Sequence, residues 1–536
     1  MPAPLHYVKQ EGRRLPLAPF AAPCYVPDAV FKKILVANRG EIALRVMRTC
    51  RELGIATVAV YSDVDRNALH ARYADEAYLL GAGPPRESYL SIEKVLDVAR
   101  RAGADAIHPG YGFLSENADF AEACRTAGIA FIGPTPEAMR LLGDKVAARK
   151  KMRAAGVPVV PGTEGEVQPD EAAGVAEEIG YPVLIKAAAG GGGKGIRHVP
   201  SAAEMENALR VASSEATAAF GHGGVYVEKY LSPVRHIEVQ VIADQHGNAV
   251  ALGERECSIQ RRHQKLVEES PSVAIDDETR QRMWQAAVSG AQASDYQNAG
   301  TVEFLLDKDG KFYFLEVNAR LQVEHPVTEF CVGRDLVADQ IRVAAGEPLP
   351  YRQDDIRPSG HAIECRISAE DPYNNFLPSL GLVDWVEEPA GPGVRVDSSL
   401  YAGGEIPYHY DPMLAKVICW GPDRDAAIKR MLRALREYVV VGIQTNIPFH
   451  QQLLTDPRFL AGEFHTGWLE QEFTMAPPDG HPDEQAALLV AAVLTHVRKR
   501  RPPAVDSTAG ANGDAWRSAG RDRMQQNRLL VQRRRR

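Results

Sequence analysis

The stretch EVNARLQVEHPVT runs from Glu316 to Thr328, and polar side chains occupy every second position of it from Glu316 to Glu324. Alternate side chains of a β-strand lie on the same face of a sheet. A strand here would line one face with two acids, two amides and an arginine, namely Glu316, Asn318, Arg320, Gln322 and Glu324. Carboxylates, amides and a guanidinium on one face can bind metal cations and oxyanions. A solvated edge strand has the same alternation, so this interpretation depends on the segment that precedes it.

The preceding segment, GTVEFLLDKDGKFYFLEVN, has the pattern of a β-hairpin, with two apolar runs around a DKDG turn that begins at Asp307. A two-residue loop would set Glu303 opposite Phe314, on the same face as Glu316 and Asn318. A register shift of one residue would destroy this arrangement. Two carboxylates and an amide oxygen suit hard divalent cations that carry phosphates. The sequence therefore predicts a site for Mg-ATP.

A glycine-rich loop follows the strand YPVLIKA, in which Lys186 lies. Four consecutive glycines before Lys194 are too costly in entropy for a helix or a strand interior. Their backbone N–H groups can surround phosphate oxygens, although a flexible linker would have the same composition. The pattern differs from a P-loop, in which the lysine is followed by serine or threonine at the start of a helix. We favour contact with phosphate because of Lys186.

Basic residues concentrate in a second loop, RRHQK, which follows a predicted hairpin that starts near Val234. The charged members of this loop are Arg261, Arg262, His263 and Lys265. In an acidic protein such a concentration favours an anion site over a solvated surface.

The elements around these motifs predict an α/β and α+β multidomain fold. A βαβ unit is predicted from the strand KKILVA, a helix from Glu41 to Leu53 and the strand ATVAVYS. Its turn lacks a dinucleotide fingerprint. ADAIHPGYGFLSEN is a strand with a loop that could bind a ligand or form a tight turn. A second domain is expected from about Gly143, and a third, with helix 424–437, after Pro358. Residues 1–30 and 477–536 lack a domain pattern apart from an expected helix over 484–497.

Composition excludes several classes of protein. The 536 residues are 45% hydrophobic and 25% charged, which is typical of globular domains, and no apolar run is long enough to span a membrane. The net charge of −8 includes a tail of about +9 from Arg498 onward. The rest of the chain is therefore acidic and unsuited to non-specific nucleic-acid binding. The basic tail could contact an acidic partner, although a solvated end is favoured. Scattered cysteines without a CxxC pair favour a reduced, cytoplasmic protein, and the N-terminus is a poor match to a presequence.

The order of these motifs resembles the ATP-grasp fold: Lys186, the glycine loop, the hinge EKYL, Glu303 and then the stretch from Glu316. The strings ANRGEIA, HPGYGFLSEN, GDK, RHIEVQV, RRHQK, EVNARLQVEHPVTE and HAIECRI further resemble biotin carboxylase over about Phe31 to Phe473. The resemblance implies an N-terminal Rossmann-like domain, an ATP-grasp domain with a mobile lid, a C-terminal α+β domain, and a tail. Their expected bounds are 31–144, 145–347 (lid about 159–232), 358–473 and 474–536.

The resemblance also implies roles for individual residues. Those expected near the phosphates or ribose of ATP are Lys145, Lys186, Gly192, Gly193, His236 and His263. The adenine side of ATP is expected to be held by Glu228, Lys229, Tyr230 and Leu231. Two Mg²⁺ or Mn²⁺ ions are expected on Glu303, Glu316 and Asn318. The bicarbonate pocket is expected to contain Lys265, Arg320, Gln322, Val323 and Glu324. Arg366 is expected to face this pocket from the C-terminal domain, where its charge would stabilise the enolate of biotin.

The implied activity is ATP- and bicarbonate-dependent carboxylation of biotin, the first half-reaction of an acetyl-CoA or propionyl-CoA carboxylase of fatty acid biosynthesis. The chain has no Met-Lys dipeptide of the kind to which biotin is attached, so biotin is expected on a separate carrier protein and the carboxyltransferase on another subunit. A homodimer is expected from the resemblance alone. The alternatives are another ATP-grasp ligase, a non-catalytic scaffold protein, and a competent enzyme whose tail also mediates assembly. Truncation of a longer fused chain is also open.

Overall fold

A computed structural model of the chain describes residues 31–163, 165, 167, 169–187, 196–220, 224–477, 489, 490 and 493. Its N-terminal part forms a five-stranded parallel sheet. The strand order is β3-β2-β1-β4-β5. The strands are β1 (Lys33–Val36), β2 (Ala56–Ser62), β3 (Glu76–Gly81), β4 (Ala106–His108) and β5 (Ala130–Phe131). The helices are α1 (Gly40–Glu52), α2 (Leu69–Tyr73), α3 (Ile92–Ala102), α4 (Ala118–Thr126) and α5 (Pro136–Gly143). The predicted βαβ unit is confirmed.

A small antiparallel sheet follows, built on the strand that carries Lys186. Its order is β7-β6-β8, and two helices pack apolar side chains against it. The elements are α6 (Lys145–Ala154), α7 (Pro169–Ile179), β6 (Val183–Ala187), β7 (Ile196–Val199), α8 (Ala202–Phe220) and β8 (Val225–Lys229). Gly192 and Gly193 lie outside the described residues.

The rest of the chain is built around an eight-stranded antiparallel sheet, with the strand order β13-β12-β9-β10-β11-β14-β21-β19. Its first part comprises β9 (Val234–Ala243), β10 (Ala249–Arg261), β11 (Gln264–Ser270), α9 (Asp277–Ala293), β12 (Asn298–Asp307), β13 (Phe312–Asn318), α10 (His325–Val332) and α11 (Leu336–Ala344). Strand β11 pairs with β14, the first strand after Pro358, so the sheet continues into the predicted third unit. Side chains of both parts therefore meet on one sheet.

The last part combines short strands with helices, as expected for an α+β unit. Its elements are β14 (His361–Ser368), β15 (Glu370–Asp371), β16 (Leu377–Pro378), β17 (Gly381–Leu382), β18 (Trp385–Glu387), β19 (Val394–Ser398), β20 (Glu405–Ile406), β21 (Met413–Gly421), α12 (Arg424–Glu437), β22 (Val439–Val441), α13 (Ile447–Leu453), α14 (Pro457–Ala461) and α15 (Trp468–Gln471). Helix α12 has the predicted bounds. The expected helix over 484–497 lies mostly outside the described residues. Within the described part of the chain, no helix is long and apolar enough to cross a membrane.

The hairpin of β12 and β13 has a different register from the predicted one. Glu303 lies opposite Glu316, not Phe314, because the pairing shifts between Glu303 and Phe304 at a β-bulge. At the turn, Asp307 accepts hydrogen bonds from the backbone N–H groups of Asp309 and Lys311, which closes a longer loop than expected. The predicted consequence survives, because directly opposed side chains share a face.

The predicted strand from Glu316 to Glu324 is correct only as far as Asn318. The chain then forms an irregular segment over residues 319–324, and helix α10 begins at His325. Proline is favoured in the first turn of a helix, and Pro326 occupies that position. Arg320, Gln322 and Glu324 are therefore not alternate positions of one strand, and their convergence depends on tertiary contacts.

Candidate active site

Two cavities adjoin this irregular segment. One of about 450 Å³ is bordered by Lys265, Arg320, Val323 and Arg366, together with loop residues of the N-terminal sheet. The other, of about 250 Å³, is bordered by Lys145, Glu316 and Asn318, among others. The carboxyl ends of β1 and β4 thus contribute to the first cavity, as expected for loops that follow parallel strands.

Glu303 is the most heavily bonded acid of the site. Its Oε1 atom accepts hydrogen bonds from Lys265 Nζ at 3.0 Å, Asn318 Nδ2 at 2.8 Å and Gln322 Nε2 at 2.8 Å. Its Oε2 atom lies 2.9 Å from His236 Nε2. Burial disfavours the charged form, but Lys265 and His236 outweigh it and hold the pKa of Glu303 well below its usual range. Glu303 is thus held in its ionised form, which is the form that binds a cation.

Glu316 is in the opposite electrostatic situation. Burial and the nearby charge of Glu303 raise its pKa, and it has no ion pair among the described residues. Two carboxylates opposed across a hairpin repel one another, and a bound divalent cation would remove this repulsion. The oxygen-rich donor set of Glu303, Glu316 and Asn318 therefore fits Mg²⁺ or Mn²⁺.

Lys265 lies at the centre of three carboxylates. Its ammonium group contacts Glu238, Glu303 at 3.0 Å and Glu324 at 2.6 Å. Burial opposes the charged form, but these acids raise the pKa of Lys265 well above its usual value. The other members of the predicted cationic loop do not contact these three carboxylates: Arg261 packs over Phe376, while Arg262 and His263 lie exposed in the turn after β10. The four basic residues therefore do not form one cluster.

Glu324 is held between two cations at the start of α10. One carboxylate oxygen accepts from Lys265 and the other from Arg366 Nη2 at 2.9 Å. Burial disfavours its charge, but Lys265 and Arg366 hold the pKa of Glu324 below its usual range. Arg366, on β14, also donates through Nε to Glu268 at 2.6 Å. The predicted pair of Glu324 and Arg366 is thus assembled from two distant parts of the chain.

Arg320 is positioned by an acid that sequence reasoning did not single out. Its Nε atom donates to Glu116 at 3.0 Å, and its Nη2 atom donates to Asn318 Oδ1 at 2.9 Å. Glu116 also accepts from the backbone N–H of Ala319. Glu116 belongs to the string HPGYGFLSEN, so the glycine-rich loop was a signal for its neighbourhood but not for its role.

Arg255 and Glu238 were missed as well. Arg255 is fully buried and donates to Glu238 at 2.5 Å and to Gln322 at 2.6 Å. The alternation of His236, Glu238 and Gln240 along β9 was a signal for an internal polar face, because such polar residues are rarely buried without partners.

The predicted hinge residues have separate roles. Glu228 is buried and pairs with both Lys186 and Arg149, while Lys229 donates to the carbonyls of Gly180 and Tyr181. The ring of Tyr230 lies 4.3 Å from that of His198. With these side chains engaged in the protein, an adenine contact at 228–231 would come from the backbone.

Comparison with known proteins agrees with this geometry. The family model of the biotin carboxylase N-terminal domain matches residues 30–139. The model of the carbamoyl-phosphate synthase L chain ATP-binding domain matches residues 144–352. The model of the biotin carboxylase C-terminal domain matches residues 364–471.

Similar curated proteins include a biotin carboxylase of Nostoc, 55% identical over 82% of this chain and 99% of the relative. Biotin carboxylase 1 of Bacillus subtilis is 54% identical over 82% of this chain and 98% of its own length. A crystal structure of a biotin carboxylase complex with β-γ-ATP from Campylobacter jejuni superposes with a TM-score of 0.80 at 48% identity, over 82% of this chain and 99% of that one.

The biotin carboxylase domain of Hydrogenobacter thermophilus 2-oxoglutarate carboxylase, a dimer with MgADP, ADP and bicarbonate, superposes with a TM-score of 0.78 at 49% identity. The match covers 82% of this chain and 97% of that one. The fold and the site thus define an ATP-grasp ligase. The chain belongs to the biotin carboxylase family, ATP-dependent ligases that carboxylate biotin in the first half-reaction of biotin-dependent carboxylases.

Proposed function

We propose that this chain carboxylates biotin carried by a separate protein, through carboxyphosphate, with Glu324 as the general base. The observation that carries the proposal is Glu324 between Lys265 and Arg366, two residues that border the larger cavity. An ionised carboxylate beside an arginine suits removal of the proton from bicarbonate. The lowered pKa of Glu324 weakens it as a proton acceptor, so Lys265 or Arg366 must turn toward the substrate when bicarbonate binds.

Bicarbonate would be oriented by Arg320, Gln322 and the backbone of Val323. A guanidinium binds a planar oxyanion through two parallel hydrogen bonds, which lysine cannot reproduce. Glu116 and Asn318 hold Arg320 in place, and this agrees with such a role. Carboxyphosphate would decompose to CO₂ and phosphate, and the phosphate would take the proton from the ureido nitrogen of biotin. Arg366 would stabilise the enolate oxygen that forms, and the ureido nitrogen would attack CO₂ to form the new C–N bond.

The nucleotide would lie between the lid and the hairpin. Lys145, Lys186, Gly192, Gly193, His236 and His263 are proposed to approach its phosphates or ribose, and residues 228–231 its adenine. Glu303, Glu316 and Asn318 would hold the divalent ions, which neutralise the charge of the phosphates. Carboxyphosphate is labile in water, so closure of the glycine-rich loop would protect it.

The assembly is part of the same proposal. We propose a homodimer in the cytoplasm that acts with a biotin carboxyl carrier protein and a carboxyltransferase subunit, in an acetyl-CoA or propionyl-CoA carboxylase. Support comes from relatives that are separate biotin carboxylase chains and from the dimer of the Hydrogenobacter domain. Mass in solution for the full chain and for a variant without residues 477–536 tests the dimer and any role of the tail. A monomeric full chain would contradict the dimer.

The deciding experiment measures ATP hydrolysis with Mg²⁺, with and without bicarbonate, and then with free biotin. We expect stimulation that requires both bicarbonate and biotin. Hydrolysis that is indifferent to both would reject the proposed bicarbonate pocket while leaving the ATP site intact. Binding of ATP without any hydrolysis would instead favour a scaffold protein.

A further inference from the structure

Lys416 is a buried cation that the proposed reaction does not use. It lies on β21, directly opposite Arg366 on β14, so that the two side chains share a face of the large sheet. Its side chain has no exposure to solvent. A lysine is almost never fully buried unless it is paired, so its contacts indicate its purpose.

The ammonium group of Lys416 donates a hydrogen bond to the backbone carbonyl of Val323. Two acids lie near it, Glu41 Oε1 at 3.7 Å and Asp397 Oδ2 at 4.0 Å, and the centre of the Tyr111 ring lies 5.9 Å away. The acids balance the charge at a longer distance, while the short contact is to the carbonyl. The cation is thus directed at the segment that leads to Glu324.

This segment has little regular backbone pairing to hold it, because β13 ends at Asn318 and α10 begins at His325. Side chains take over that task. Nδ1 of His325 lies 2.8 Å from the carbonyl of Gln322, and Lys416 binds the next carbonyl. The carbonyl of Val323 and the N–H of Glu324 belong to one peptide plane. A hydrogen bond that holds this carbonyl therefore also fixes the orientation of the backbone at Glu324.

We propose that Lys416 is a positioning residue of the bicarbonate pocket, which holds the peptide between Val323 and Glu324 in the orientation that Glu324 needs. The inference rests on the proposed function, because the bicarbonate pocket is itself part of that proposal. Lys416 is not expected to touch substrate. Its role is to restrict the conformational freedom of the segment that carries Arg320, Gln322 and Glu324. Small displacements of reacting groups lower the rate of a reaction strongly.

The test compares Lys416→Met with the wild-type chain for KM of bicarbonate, KM of ATP, kcat and carboxybiotin formed per ADP. We expect kcat of the biotin-dependent reaction to fall on the order of 10- to 100-fold. KM for bicarbonate should rise, KM for ATP should remain unchanged, and less carboxybiotin should form per ADP. A merely structural role would lower the yield or the melting temperature without this separation of the two KM values.

Loss of the ammonium leaves Glu41 buried without another ion pair among the described residues, and an uncompensated buried charge can prevent folding. The double variant Lys416→Met/Glu41→Gln removes both charges together and should show the same kinetic pattern. Arg424→Met is the matched control, since Arg424 also supports backbone carbonyls, those of Phe459 and Leu460. It should lower the melting temperature and leave coupling and both KM values unchanged.

The outcomes separate this inference from the proposed function. If the wild-type chain shows no stimulation by bicarbonate and biotin, the proposed function fails. If the wild type is stimulated and the double variant keeps the wild-type kcat, KM for bicarbonate and coupling, the role of Lys416 is overturned. The same holds if Arg424→Met reproduces the kinetic pattern, because the effect would then follow from general loss of stability.

Discussion

Two clusters of buried charges each include residues of strands β11 and β14, and they differ in what surrounds them. In the first, Glu269 accepts from His361 Nε2 at 2.7 Å and from Arg424 Nε at 2.7 Å. In the second, Lys265 contacts three carboxylates, and Arg366 bridges Glu324 and Glu268.

In the first cluster every charge has a partner. Arg424 also donates through Nη2 to Glu269 at 3.2 Å and through Nη1 and Nη2 to the carbonyls of Leu460 and Phe459. Glu269 borders neither of the two cavities at the site. The second cluster shares one ammonium among three acids and borders the larger cavity. Buried charges alone therefore do not mark an active site. Acids that share their cations, next to a space for substrate, do so more reliably.

The largest expected effect of any substitution is at Glu324. Glu324→Gln should lower biotin carboxylation about 10³-fold, because a general base contributes 10² to 10⁴ in rate, while ATP affinity remains nearly intact. Carboxybiotin formation and ATP binding by calorimetry check this. A large loss of ATP affinity would contradict the assignment of Glu324 as the general base, and the second cluster would then no longer differ from the first in its role.

Arg366→Lys should lower kcat about 10²-fold while leaving KM for ATP unchanged. Lysine retains the charge but cannot bridge Glu268 and Glu324 with a planar fork. Steady-state kinetics with free biotin would measure the effect. The corresponding change in the first cluster, Arg424→Lys, is the control and should leave kcat as in the wild type.

Glu316→Gln should weaken the response to Mg²⁺ by roughly 10- to 100-fold, in the range for loss of groups that support a metal site. The amide retains an oxygen donor but loses the charge that a divalent cation requires. Titration of ATP hydrolysis with Mg²⁺ measures the shift. An unchanged half-saturating concentration would remove Glu316 from the metal site.

Glu269→Gln should leave kcat per folded molecule unchanged and lower stability by about 3 kcal/mol at pH 7, the cost of breaking a buried pair. Burial opposes the charge of Glu269, but His361 and Arg424 lower its pKa to about 2. A lowered pKa stabilises the fold above the unfolded value of about 4.5, and this stabilisation is lost as the pH falls from 4.5 toward 2.

The difference in stability between the wild type and Glu269→Gln should therefore shrink over that range. Denaturant unfolding followed at several pH values checks it. A constant difference from pH 7 down to the acid range would mean that the carboxylate does not contribute through its charge.

Much of the architecture follows from short-range patterns. Four features were predictable because apolar periodicity and turn residues act locally: the βαβ unit, the strand with Lys186, helix α12 and the strand with Arg366. The register of the β12–β13 hairpin was not, since a bulge changes pairing without changing the alternation of either strand. The end of β13 at Asn318 was missed for a similar reason: polar residues at alternate positions do not show where a strand stops.

The amino-acid sequence alone predicted the kinds of chemical group that this protein offers: acids and an amide for a cation, arginines for an oxyanion, and a glycine loop for phosphate. Which of these groups meet was settled by the folded chain. Glu324 reaches Arg366 across 42 residues and Arg320 reaches Glu116 across 204. Lys265, the basic residue of its loop that faces the acids, has carboxylates from β9, β12 and the start of α10 around it. Such contacts depend on sheet order and register, which are set by packing of the whole fold and leave no mark on the spacing of residues in any one segment.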